Sequence, residues 1–62
     1  MDRSLCEALT NELLRLARVE DAAATKEAMA VPYWSPHPSS VAGHRAAAAA
    51  LRAAAENYLG AA

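Results

Sequence analysis

Three prolines within seven residues, Pro32, Pro36 and Pro38, divide this 62-residue chain. Each fixes its own φ, lacks an amide hydrogen and turns its predecessor away from helical angles. No helix can therefore run through 31–38. On either side the chain is built from alanine, leucine and charged residues, which are strong helix formers, and no further proline occurs. The expectation is an all-α chain of two helices, about 4–30 and 40–59, joined by the connector VPYWSPHPSS. A connector this short between long helices implies an antiparallel hairpin, a single domain spanning 1–62.

The ends of both helices carry signals. Ser4-Leu5-Cys6-Glu7 fits the capping box S-x-x-E, with Ser4 as N-cap. Val31 before Pro32 predicts a stop near Met29 or Ala30. Ser39 or Ser40 suits the second N-cap, and Gly60 after Leu59 is a natural C′ stop.

The apolar periodicity predicts which faces meet. In the first helix Leu5, Leu9, Leu13 and Leu16 recur at four, four and three residues, flanked by Cys6 and Val19. The same face continues through Glu20, Ala23, Ala24 and Glu27, while Leu14 lies off it and suggests a second contact surface. In the second helix Val41, His44, Ala48, Leu51, Ala55 and Tyr58 recur at alternating three and four, an a/d seam. Gly43 would ease close approach there. Folding one helix onto the other brings Glu27 near His44 and Arg45, and Glu20 near Ala48. Leu16, Leu13 and Leu9 then meet Ala55, Tyr58 and the C-terminus. Arg52 and Glu56 form an i,i+4 pair.

Two helices cannot enclose a core. A chain of this size buries only about 60% of its unfolded surface, and eighteen of its apolar residues are alanine. Cys6 is the lone cysteine, so no internal disulfide can staple the fold and a reducing compartment is indicated. Small scaffolds without such staples turn to association. A homodimer completing a four-helix bundle is the simplest solution, and docking on a larger protein satisfies the same surface.

Charge and composition exclude several classes. Six basic and seven acidic residues nearly cancel and are interspersed, without the basic stripe expected of a nucleic-acid or anionic-membrane binder. The apolar run 46–51 is too short to span a bilayer and Arg52 interrupts it. Met1-Asp2-Arg3 opens no secretory leader, so a cytoplasmic protein is expected.

Catalytic, cofactor and metal sites are not expected. The chain has no phosphate-binding loop and no nucleophile–base spacing, and Cys6 and His37 lie too far apart in sequence for a zinc set. Glu20, Glu27 and His44 are the only plausible acid/base or metal-ligating group. Di-iron bundles, however, use Glu-x-x-His pairs, and none occurs here. These residues read instead as seam charges, with His44 bonded to Glu27.

The connector is where recognition is expected. Its prolines should make it extended and stiff, and Tyr and Trp are enriched at interface hot spots. Tyr33 and Trp34, with His37 in the same loop, are the candidate partner-binding residues. Trp34 has an alternative role, folding back to plug the alanine-rich end of the hairpin. A tryptophan in such a turn invites comparison with WXG-type secreted hairpins. Trp34-Ser35-Pro36 lacks their glycine, and Tyr58 is not followed by their acidic tail residue, so that family is not assigned. The tail from Ala55 to Ala62 resembles the bacterial trans-translation degradation tag over eight residues, with Gly60 in place of a leucine. That resemblance implies recognition by an AAA+ unfoldase through Ala61 and Ala62; an alanine-rich helix end also yields such a run by chance. The expected function is a small non-catalytic interaction or regulatory module that self-associates and presents Tyr33 and Trp34. The alternative is an accessory subunit that folds by docking on a larger enzyme or assembly, and a carboxylate/histidine metal protein is the least favoured reading.

Overall fold

The computed structural model describes residues 2–61, for Ala61 the backbone alone. Two helices, α1 (Arg3–Met29) and α2 (Ser39–Ala61), form an antiparallel hairpin, and no strand occurs among the described residues. The hairpin is one layer thick, with principal extents of 49 × 13 × 11 Å.

Helix α1 starts earlier than the capping box suggests. Asp2 is the N-cap, in extended conformation, and its carboxylate accepts from the Ser4 amide at 3.0 Å. Asp and Ser are comparable caps. The Asp2 cap puts Ser4 inside the helix, and Glu7 pairs with Arg3 at 3.3 Å instead of reaching back to Ser4. The helix ends where Pro32 demands, at Met29, with the Ala30 amide bonded to the Glu27 carbonyl. Lys26 sits in the last turn, where a cation suits the carbonyl end of the dipole. Helix α2 does not stop at Gly60. It runs through to Ala61, and no glycine adopts a positive φ. A glycine ends a helix only when its left-handed angles are used, and here they are not.

The buried line of α1 is not the leucine stripe. Cys6, Thr10, Ala17 and Ala24 are buried, with Leu13, Glu20 and Glu27 half-buried between them. These positions alternate four and three residues apart along the whole helix. Leu5, expected in the seam, is 49% exposed, and Leu9 and Leu16 are half-buried at its side. On α2 the seam has the expected members. Val41, Ala48 and Ala55 are buried, with His44, Leu51 and Tyr58 half-buried.

The physical reason is the size of the seam residues. Helix separation depends on the side chains at the contact, and alanine on both helices allows the closest approach. Ala24 and Ala48 are fully buried at 0% exposure. A leucine in either place would hold the backbones apart, and Leu5, Leu9 and Leu16 are turned to the flank. Thr10 is tolerated in this line because its hydroxyl donates to the Cys6 carbonyl at 2.8 Å, one turn back. Gly43 is not a close-approach residue: a Cβ added there would meet nothing within 4 Å.

Two substitutions test this packing. Ala24→Leu overfills the seam and should cost about 1–3 kcal/mol in chemical denaturation followed by circular dichroism. Gly60→Ala has open space around its Cβ and should raise stability by about 0.5 kcal/mol, the helix-propensity difference.

Candidate functional site

The connector is less extended than its prolines imply. The Ser35 amide donates to the Pro32 carbonyl at 3.0 Å, closing a β-turn with Tyr33 and Trp34 as its two central residues. Among the described residues no non-glycine has a positive φ, so the turn uses only angles open to bulky side chains, with proline heading it. After Ser35 the chain runs irregularly through Pro36–Pro38, and the Val41 amide then bonds the Pro38 carbonyl at 3.0 Å. The half-buried Val31 and the buried Val41 anchor the two ends of the connector.

This geometry leaves both aromatic rings in solvent. Tyr33 is 95% exposed and Trp34 73% exposed. Neither ring plugs the hairpin. They pack edge to face on each other, with centroids 5.0 Å apart and planes at 85°, a favoured aromatic geometry. Met29, also exposed, ends α1 four residues before Tyr33. His37 lies exposed further along the loop.

A second cluster lies one step into the hairpin. His44 on α2 sits between two carboxylates of α1: its Nδ1 is 2.5 Å from Glu20 Oε2 and its Nε2 is 3.5 Å from Glu27 Oε1. Ser40 Oγ donates to the other oxygen of Glu27 at 2.7 Å. Helix periodicity expected Glu27 alone as the histidine's partner. That pair is present, and Glu20, seven residues earlier on the same face, is nearer still. Arg52 pairs with Asp21 across the helices in place of its neighbour Glu56. Glu12 and Arg15 form an exposed pair within α1 at 2.5 Å, which lowers the Glu12 pKa and raises that of Arg15 through their hydrogen bond. Exposed pairs of this kind contribute little to stability.

The three residues considered for acid/base or metal chemistry are thus brought together, but as an interhelical ion-pair clasp. Both ring nitrogens of His44 face carboxylates, and the imidazolium has a donor for each. This arrangement leaves no ring lone pair directed at an open position. Among the described residues no group of three or more His, Cys, Asp or Glu is arranged to hold a metal ion, and no cavity is present. No helix among them is long and apolar enough to cross a membrane. The degradation-tag resemblance ends on Ala62, which lies outside the described residues. Comparison of the chain with protein-family models, curated proteins and solved structures finds no match.

The clasp makes stability pH-dependent. The hydrogen bond to Glu20 is the main cause raising the His44 pKa, helped by the charges of Glu27 and Glu20 and opposed by partial desolvation. A raised folded-state pKa means that the folded chain binds the proton more tightly than the unfolded one. Its contribution is complete below the ordinary histidine value of about 6.5 and is lost as pH rises through the raised value. Thermal unfolding followed by circular dichroism should therefore show a melting temperature that falls as pH rises above about 6.5. His44→Gln should flatten that slope, and an unchanged slope in the variant would remove His44 as its source.

Proposed function

We propose that this chain is a non-catalytic protein–protein interaction module, self-associating as a dimeric four-helix bundle and presenting Tyr33 and Trp34 to a partner. One observation carries the reading: the two aromatic rings stand exposed at the centre of a hydrogen-bonded turn, between helices that hold its ends. Large exposed apolar groups clustered together mark interaction sites. A turn already closed by its own hydrogen bond and stiffened by prolines loses little conformational entropy on binding. Tyr and Trp in such a place are the side chains most often responsible for interface affinity.

The rest of the molecule supports presentation rather than catalysis. The polar cluster at His44 is engaged with itself, and its donors and acceptors are spent on holding α1 to α2. We place the protein in the cytoplasm, in keeping with its one thiol, Cys6, being free and buried. Self-association is supported by the single-layer shape, since a stable domain packs at least two layers about a core.

The double variant Tyr33→Ala/Trp34→Ala tests the recognition role. The rings contribute little to the hairpin's own packing, so stability should change by no more than about 0.5 kcal/mol, as for surface positions. Affinity capture with the variant should lose the proteins that the wild-type chain retains. Equal capture by both, or a large loss of stability in the variant, would overturn the assignment.

A further inference from the structure

The two flanks of the hairpin are unlike. A seam repeating every seven residues keeps residues seven apart on the same side of each helix. Along one flank run Glu7, Arg18 and Asp21 of α1 with Arg45 and Arg52 of α2, interrupted by the half-buried Leu14 and the exposed Leu59, and the Arg52–Asp21 pair bridges the helices there. Along the other, α1 presents Leu5, Leu9, Leu16, Val19 and Ala23, and α2 presents Ala47, Ala50 and Ala54. Leu5 and Val19 are about half exposed, and Leu9 and Leu16 are only partly covered. Glu12 and Lys26 are the charged members of this flank, both in its outer row, and Glu12 is held by Arg15.

We infer that this apolar flank is covered by a second copy of the chain, related by a twofold axis parallel to the helices. The leucines of α1 then lie on the alanines of the partner's α2, and both Tyr33–Trp34 turns emerge at the same end. The inference rests on the self-association proposed above and specifies its face and symmetry. Area supports the occupant. The chain exposes 4400 Å², against roughly 3,800 Å² for a compact monomer of 6.5 kDa. The excess, about 600 Å², approaches the ~800 Å² that each partner buries in a standard interface. The radius of gyration agrees: it is 14.6 Å, where a compact chain of this length has about 10.6 Å.

Shape chooses the axis. One half of the flank is bulky and the other half is flat. A twofold perpendicular to the helices would set leucine on leucine and alanine on alanine, leaving a wedge-shaped gap over α2. The parallel axis sets large on small at both contacts, which is how facing layers fill space. Either axis makes every neighbouring helix pair antiparallel, the up-down-up-down order of simple bundles, so the choice rests on this fit of large against small. The product is a bivalent surface, with two aromatic turns side by side for a partner that is itself dimeric or repeated.

A spin label at residue 37 reads the arrangement. In His37→Cys made on a Cys6→Ala background, double electron–electron resonance should give an interlabel distance below about 30 Å, since bundle helices lie ~10 Å apart. The same label on the native background, where Cys6 is buried, provides the measurement should Cys6→Ala disturb folding. A dimer with labels separated by about the 49 Å length of the hairpin would overturn the parallel axis and leave self-association standing. A monomer by sedimentation would overturn both. Val19→Glu should weaken the dimer about tenfold or more, because it puts an unpaired charge into the interface, whereas Thr25→Glu on the opposite side should not. A dimer indifferent to Val19→Glu would show that another face is used.

Discussion

The fold depends on a line of very small side chains along the contact between α1 and α2. Ala17 and Ala24 on one helix and Ala48 and Ala55 on the other are buried almost completely, and each repeats after seven residues. Their burial contributes modestly, because a methyl group carries little area. Their larger effect is geometric. Where these methyl groups meet, little side-chain volume stands between the helices, and longer side chains in and beside the seam reach across it. The Glu20–His44–Glu27 clasp, the Ser40–Glu27 hydrogen bond and the Arg52–Asp21 pair are all such edge or seam contacts. They fix a register that alanine alone specifies weakly.

The same economy leaves a debt of exposed apolar surface. Every leucine that would fill a conventional helix contact is displaced to the side or left partly open, and Val19 and Leu5 stand half in solvent. The hairpin is therefore well ordered internally in one direction and unfinished in another. Dimerisation through the leucine–alanine flank would supply the second layer. It would also determine how many aromatic turns a partner meets at once, so the stability of the fold and the presentation of Tyr33 and Trp34 become aspects of one assembly.

Much of this architecture was legible in the sequence, and the failures share a cause. Proline spacing located the break between the helices because its effect is local and steric. The α2 seam was readable because its larger apolar residues, Val41, Leu51 and Tyr58, share one three–four repeat with Ala48 and Ala55. On α1 the leucine stripe competed with a line of Cys, Thr and Ala, and hydrophobicity favoured the leucines. Close packing reversed the choice, since what matters at a short helix separation is how little a side chain occupies. The Glu20–His44 pairing was missed for a related reason. Glu20 and Glu27 lie seven residues apart on one face with His44 between them, and spacing alone did not say which carboxylate would be nearer. The fate of Trp34 depended on a three-dimensional turn, and composition held arguments for both outcomes. Gly60 and Ser4 carried genuine cap signals, outweighed by a helix that begins at Asp2 and continues to Ala61.

The account stands or falls on whether a one-layer hairpin with an open leucine flank exists by itself in solution. Sedimentation equilibrium of the intact chain over a wide concentration range, with helicity recorded by circular dichroism on the same samples, addresses this most directly. The expected result is a discrete dimer that is strongly helical and loses helicity together with its dissociation on dilution. A monomer that keeps full helicity at all concentrations would contradict it, because the small-residue seam would then suffice without a second layer.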